Sequence, residues 1–138
     1  MNPSFKEINH SQLLKSAKEV LTRSYSPYSK FPVAAALLTL NGNIVVGVNI
    51  ENASYGLTIC AERVAVFRSI SEGYQGFRAI AIVSQRGGFC PPCGACRQVL
   101  LEFAEITSEV ILEDQEGKPI IINVMDLLPQ AFGPNDLK

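Results

Sequence analysis

The alternation of apolar and polar positions in the first fifty residues predicts one helix followed by a two-stranded hairpin. In residues 11–24, apolar side chains recur at the spacing of one helix face: Leu13, Leu14, Ala17, Val20 and Leu21. A turn-rich loop, SYSPYSKFP, separates this helix from an apolar strand over residues 33–40. The dipeptide Asn41-Gly42 then predicts a two-residue hairpin turn into a return strand over residues 44–49.

The rest of the chain predicts helices and strands in alternation. Residues 59–72 have helical periodicity, and Gly73 provides a stop for that helix. Residues 79–84 (AIAIVS) are almost all apolar, which is typical of a strand buried on both faces. The remaining predicted elements are a helix over 94–104, strands over 109–112 and 119–123, and a short helix over 124–128.

The order of these elements predicts an α/β fold. Strands alternate with helices after the first hairpin, so we expect a mixed sheet of about five strands with helices on both faces. Such a fold has three layers, αβα. The length of 138 residues corresponds to a single domain, residues 1–138.

Composition narrows the class of protein. With 47% apolar and 18% charged residues, the chain can bury a core and is not expected to be disordered. A net charge of −1 gives no electrostatic basis for binding nucleic acid. The longest apolar runs are too short to span a bilayer, and the N-terminal sequence lacks the apolar core of a signal peptide. We therefore expect a soluble cytoplasmic protein with no nucleic acid or membrane partner.

The four cysteines suggest a metal site. Cys93 and Cys96 begin a predicted helix at the C-x2-C spacing that zinc-binding thiolates commonly use. Cys60, at the start of the preceding helix, can provide a third ligand. Three protein ligands leave one tetrahedral position open for water, which is typical of a catalytic zinc.

Charged residues next to these cysteines fit that chemistry. Three thiolates give a zinc site a net charge of −1, and Arg63 and Arg97 could offset it by donating to sulfur. Glu62 lies two residues after Cys60, so the two side chains do not share a helix face. Glu62 is therefore a candidate general base rather than a metal ligand.

Two other interpretations of the cysteines remain open at this point. Cys90 also forms a C-x2-C pair with Cys93, so all four cysteines could make a closed structural zinc site. Cys93 and Cys96 could instead form a redox dithiol, although Cys60 would then have no part in it.

Several motifs together resemble the zinc-dependent cytidine deaminases. These are C-A-E-R at 60–63 and P-C-G-A-C-R-Q at 92–98, with longer matches over residues 27–38, 49–67 and 126–137. They resemble the short, homotetrameric form of that family, which has three cysteine ligands, and the resemblance covers residues 12–137. It implies one Zn²⁺ per subunit, a nucleoside substrate and the three-layer fold of that family.

The resemblance assigns roles to residues that the spacing alone does not. Zinc would be held by the three cysteines named above, and Glu62 would carry a proton from the zinc-activated water to cytosine. Cytidine or 2′-deoxycytidine would thereby become uridine or 2′-deoxyuridine plus ammonia, in pyrimidine salvage. Asn49 and Glu51 would hold the ribose 3′-hydroxyl, while Phe31 and the main chain of Ala61 would border the base.

The resemblance also implies sites shared between subunits. Tyr55 and Phe132 would reach into the site of a neighbouring subunit of the homotetramer. Two positions depart from the family pattern: Ala34 replaces a usual glycine, and Pro91 replaces a common serine near the base. Alternative functions are deamination of a related aminopyrimidine nucleoside, or a zinc-stabilised interaction module without catalysis.

Overall fold

The computed structural model describes residues 7–138. The helices are α1 (His10–Glu19), α2 (Ala61–Ser71) and α3 (Gly94–Phe103). The strands are β1 (Val33–Thr39), β2 (Ile44–Val48), β3 (Phe77–Ser84), β4 (Ala104–Glu113) and β5 (Pro119–Asn123). Within residues 7–138, no helix has the length and apolar character needed to cross a membrane.

The strands form one mixed sheet in the order β2-β1-β3-β4-β5. β1 pairs antiparallel with β2 and β3, β3 pairs parallel with β4, and β4 pairs antiparallel with β5. The parallel pair is joined through α3, as a parallel connection requires a crossover. The loop between β3 and α3 therefore leaves the carboxyl end of β3, where ligands commonly bind in α/β sheets.

Helix α1 covers one face of the sheet. Asn9 caps the helix, because its side-chain oxygen accepts a hydrogen bond from the Gln12 N–H at 3.1 Å. The apolar stripe of α1 packs on strands whose inward side chains are small, which lets the helix lie close to the sheet. These strand residues are the buried alanines Ala34, Ala36, Ala79 and Ala81.

Helices α2 and α3 cover the opposite face, which completes the three layers. Gly47 in β2 sets the position of α2. A Cβ atom at Gly47 would lie 2.5 Å from the backbone N of Ala65 and 2.8 Å from the backbone O of Ala61. Because only glycine permits this approach, the contact fixes the first turn of α2 against the sheet. The fold class predicted from the sequence is confirmed.

The largest differences from the predicted elements lie at helix and strand ends. Helix α1 stops at Glu19 and continues as a 3-10 turn over Leu21–Arg23, where β-branched Val20 and Thr22 weaken the α-helix. Strand β4 begins at Ala104, immediately after α3, instead of at residue 109. The Ser108 hydroxyl supports this early start by donating to Phe77 O and accepting from the Glu105 N–H, each at 2.7 Å.

Candidate active site

Three of the four cysteines meet where α2 and α3 begin. Cys60 is the N-cap of α2, Cys93 is the N-cap of α3, and Cys96 lies in the first turn of α3. Their sulfur atoms all lie within 4.8 Å of one another, and those of Cys93 and Cys96 are 3.5 Å apart. We call this group the sulfur cluster. Cys90 is not part of it, which favours the three-cysteine site over the closed four-cysteine site.

The surroundings of the sulfur cluster favour a thiolate. The pKa of Cys60 is lowered to about 5, first because Cys96 donates a hydrogen bond to its sulfur and then because of the Arg63 guanidinium. The same hydrogen bond raises the pKa of Cys96, which is the donor. Arg63 Nη2 lies 3.4 Å from Cys60 Sγ, as predicted for an arginine that offsets sulfur charge.

The donor set fits a zinc ion. Clustered cysteine sulfurs are preferred zinc ligands, and two of the three lie at helix N-caps, where the helix dipole stabilises negative charge. Cys60, Cys93 and Cys96 would hold the metal.

Arg97 has other partners than the ones predicted for it. Its Nε donates to Pro92 O at 2.9 Å, and its Nη1 donates to Leu127 O at 3.1 Å. Both acceptors are main-chain carbonyls, so in this structure Arg97 fixes the turn before Cys93 against the C-terminal segment. Arg63 is the arginine that contacts a sulfur. Both arginines follow closely after the cysteine N-cap of a helix, so the sequence could not separate these roles.

Glu62 is a buried carboxyl beside the sulfur cluster. Only 5% of its surface is exposed, and burial raises the pKa of this carboxyl to about 7. The negative charge of Cys60 acts in the same direction, and a cation held by the sulfurs would act against both. A carboxyl with a pKa near neutrality can both accept and release a proton, which is the property of a general acid–base group.

A second group of predicted site residues consists of Phe31, Asn49 and Glu51. The segment that carries Asn49 and Glu51 is joined to the segment before Cys60 by main-chain hydrogen bonds. Ile50 and Ile59 exchange two such bonds, at 3.0 and 2.9 Å, which brings the Asn49–Glu51 segment beside Cys60. Ala61, the residue after Cys60, is fully buried at the first position of α2.

Asn49 and Glu51 are held by the loop that precedes β1. Asn49 donates from Nδ2 to Phe31 O at 2.9 Å, and its Oδ1 accepts from the Val33 N–H at 3.0 Å. Glu51 Oε1 accepts from the N–H groups of Tyr28 and Ser29, at 3.0 and 3.1 Å. The Ser29 hydroxyl also donates to this carboxyl, and that bond is the largest cause of its lowered pKa. The two backbone bonds lower the pKa further.

Sequence analysis missed three side chains at this second group. The Ser29 hydroxyl donates to Glu51 Oε2, and the Ser24 hydroxyl donates to Asn49 Oδ1. The guanidinium of Arg86 lies over the ring of Phe31, with Cζ 4.7 Å from the ring centroid. The serines belong to a loop recognised only as turn-rich, and Arg86 is 55 positions from its ring, so no spacing pattern could identify these contacts.

Tyr55 and Phe132 are among the most exposed aromatic side chains of the described residues. They are 75% and 59% exposed in the single chain. Tyr55 makes an edge-on contact with Tyr28, at 6.0 Å between ring centroids, while Gln98 donates to Phe132 O at 2.8 Å. The main chain of Phe132 is therefore fixed to α3, and both rings are left open to solvent.

The two departures from the family pattern are accommodated. Ala34 is fully buried within β1, where it pairs with Val48 and Val83, and its φ is not positive. Regular strand geometry suits alanine, so no strain arises at this position. Pro91 is exposed, whereas Pro92 is buried and presents its carbonyl to Arg97.

Fold and site together define a class: a three-layer α/β protein with a three-cysteine cluster able to hold a metal and a buried glutamate, as in the zinc deaminases. Residues 7–113 match the family model for the cytidine and deoxycytidylate deaminase zinc-binding region. The chain is 45% identical over 126 residues to the cytidine deaminase of Sporosarcina psychrophila, covering 91% of this chain and 93% of that protein. It is 42% identical over 131 residues to the cytidine deaminase of Mycobacterium tuberculosis, covering 95% of each.

Solved structures agree with these relatives. The crystal structure of cytidine deaminase from Burkholderia pseudomallei superposes with a TM-score of 0.84 at 46% identity, covering 91% of this chain and 100% of that one. The chain belongs to the cytidine deaminase family, as its motifs predicted.

Cys90 offers a direct test of which thiols bind the metal. Its side chain is partly buried against the hydrophobic core, and burial raises the pKa of its thiol. Valine has a similar size and also suits this environment, so we expect Cys90→Val to leave the zinc content per chain unchanged. Cys93→Val is the matched comparison and should lose zinc. Zinc is counted by atomic absorption, and a loss of zinc in Cys90→Val would contradict the three-cysteine site.

Proposed function

We propose that this protein hydrolyses cytidine and 2′-deoxycytidine to uridine and 2′-deoxyuridine with release of ammonia. The observation that carries the proposal is the buried Glu62 carboxyl next to the three sulfurs. A closed structural zinc site needs no such carboxyl. Cys60, Cys93 and Cys96 hold one Zn²⁺ per chain, and the family match supports zinc as the metal.

Glu62 moves the protons of the reaction. When bound, zinc supplies an activated water that is nucleophilic at neutral pH. Glu62 accepts a proton from the water that attacks C4 and delivers it to N3 of cytosine. It then takes the second proton from the hydroxyl now on C4 and transfers it to the amino nitrogen, so the C4–N bond breaks, the C4 carbonyl forms and ammonia leaves. One water is consumed for each ammonia released.

The second group of residues selects a nucleoside. Glu51 accepts a hydrogen bond from the ribose 3′-hydroxyl, and the Asn49 amide assists. A site built to bond a hydroxyl discriminates strongly against ligands without it, here the free base. The acidic Glu51 also disfavours a phosphate at the sugar. Phe31 and the main chain of Ala61 border the pyrimidine.

The working form is a homotetramer in which neighbouring subunits complete each site. Support comes from the exposed Tyr55 and Phe132 rings, since large exposed apolar side chains commonly mark interfaces. Light scattering should give four chains per particle, and a monomer that turns over cytidine would contradict shared sites. We place the enzyme in the cytoplasm, because its metal site needs reduced thiols. Its role there would be the deamination of nucleosides in pyrimidine salvage.

Glu51→Gln tests the ribose contact. The substitution keeps an acceptor for the Tyr28 and Ser29 N–H groups but removes the negative charge. We expect kcat/KM for cytidine to fall by about 10- to 100-fold, because hydrogen bonds to charged groups contribute about 1.5–3 kcal/mol. Activity on free cytosine should change little. Glu116→Gln, in the exposed β4–β5 turn, is the control. An equal loss on cytosine would indicate damage to the fold or to catalysis.

A further inference from the structure

We infer that Arg86 is a positioning residue that fixes the ring of Phe31 at the mouth of the nucleoside site. The inference rests on the proposed function, in which Phe31 borders the pyrimidine. Arg86 lies in the loop of residues 85–92, which leaves β3 and leads to Cys93. The contact thus links the segment that precedes a predicted metal ligand to the segment that carries a predicted substrate contact.

The two loops are joined at backbone and side chain. Arg86 Cζ lies 4.7 Å from the centroid of the Phe31 ring, within the range of a cation–π contact. Next to it, the Gln85 N–H donates to Pro32 O at 3.0 Å. Gly87 then turns the chain back, since its φ is +73° and its N–H donates to Ser84 O at 3.0 Å. This turn holds Arg86 over the ring.

The main chain of Phe31 is also fixed by hydrogen bonds to a residue proposed to bind ribose and to Ser29. Phe31 O accepts from Asn49 Nδ2 at 2.9 Å, and the Phe31 N–H donates to Ser29 Oγ at 3.1 Å. Ser29 in turn donates to Glu51. These bonds fix the Phe31 backbone but not the rotation of its side chain. The Arg86 guanidinium lies over the ring, and this contact constrains that rotation.

Arg86 therefore acts on substrate binding and not on the proton transfers. A ring held in place before cytidine arrives does not have to be ordered on binding, so Arg86 lowers KM. The guanidinium that contacts the sulfur cluster is that of Arg63, whereas the guanidinium of Arg86 contacts Phe31. Removal of the guanidinium should raise KM and leave kcat nearly unchanged.

A double-mutant cycle tests this role. Arg86→Met, which keeps the length of the chain but removes the cation, should raise KM for cytidine by about 2- to 5-fold, the value of an exposed cation–π contact. Arg86→Lys keeps a charge without the planar stack and should fall between wild type and Arg86→Met. In a Phe31→Leu background, Arg86→Met should have no further effect on KM.

The controls separate failure of this inference from failure of the proposed function. Lys15→Met removes one charge from the outer side of α1, across the sheet from the sulfur cluster, and should leave KM and kcat unchanged. If wild type deaminates cytidine but Arg86→Met leaves KM unchanged, the positioning role is wrong and the function stands. If Arg86→Met raises KM equally in the Phe31→Leu background, Arg86 contacts substrate directly and the inference is overturned. A wild type that leaves cytidine unchanged would overturn the proposed function, and the Arg86 inference with it.

Discussion

Replacement of Glu62 by glutamine should lower kcat for cytidine by about 10²- to 10⁴-fold, the contribution of a positioned acid–base group. Glutamine keeps the shape of the side chain and one acceptor oxygen but cannot accept and release a proton. The zinc content should remain at the wild-type value, because Glu62 is not part of the sulfur cluster. Stopped-flow or steady-state absorbance measurements of cytidine loss provide kcat, and metal analysis of the same sample provides the zinc content.

Glu72→Gln is the matched control for this substitution. Glu72 lies at the other end of α2, where it forms an exposed pair with Arg68 at 2.8 Å. Exposed pairs of this kind contribute little to stability, so activity and zinc content should both stay near wild type. If Glu62→Gln retained its zinc and also retained most of its kcat, the assignment of Glu62 as the proton shuttle would be wrong.

Replacement of Cys96 by alanine should remove zinc and activity together. Cys96 is fully buried in the first turn of α3, so no surface side chain can take the place of its sulfur. Loss of the metal removes several kcal/mol of transition-state stabilisation, which corresponds to a fall in kcat of at least about 10³-fold.

The stability of Cys96→Ala gives a second readout. Binding of zinc to the folded state stabilises it, so the wild type should unfold at a higher temperature with zinc than after chelation. In Cys96→Ala, addition of zinc should produce a much smaller shift. Cys90→Val is the control and should respond to zinc as the wild type does. A Cys96→Ala protein with full zinc content would exclude Cys96 as a ligand.

The sequence predicted elements best where a local signal marks their ends. Residues 119–123 form β5 as predicted. Asn41-Gly42 lies between β1 and β2 as predicted, but the two-residue turn is wrong: Leu38 pairs with Ile44 and the Thr39 N–H donates to Asn43 O, so the loop spans the three residues 40–42. The start of β4 could not be predicted, because it depends on Ser108 bonding to Phe77 on another strand. Likewise, the requirement for glycine at position 47 arises from contact with α2, which is distant in sequence.

The same distinction applies to the site: features with a signal in the local sequence were predicted, and features that depend on contacts between distant segments were not. Spacing alone suggested the sulfur cluster, and the structure brings Cys60 to the C-x2-C pair as expected. The difference between Arg63 and Arg97 was not predictable, because it depends on whether a sulfur or a main-chain carbonyl lies within reach. The stacking of Arg86 on Phe31 is a contact between two loops and leaves no pattern in the sequence.

Two alternative functions predict other outcomes in the same assays. A deaminase specific for a different aminopyrimidine nucleoside would bind zinc and depend on Glu62, but would leave cytidine unchanged. A zinc-stabilised interaction module would bind zinc and release no ammonia from any nucleoside. The buried Glu62 carboxyl favours an enzyme over this second alternative, because burial of an ionisable group without a function is costly.

The most direct test of the account is the measurement of uridine and ammonia released from cytidine by the zinc-loaded wild-type protein. The account predicts both products in equal amounts, with loss of turnover after chelation of zinc and its return when zinc is restored. A protein with one zinc per chain that releases neither product would contradict the account.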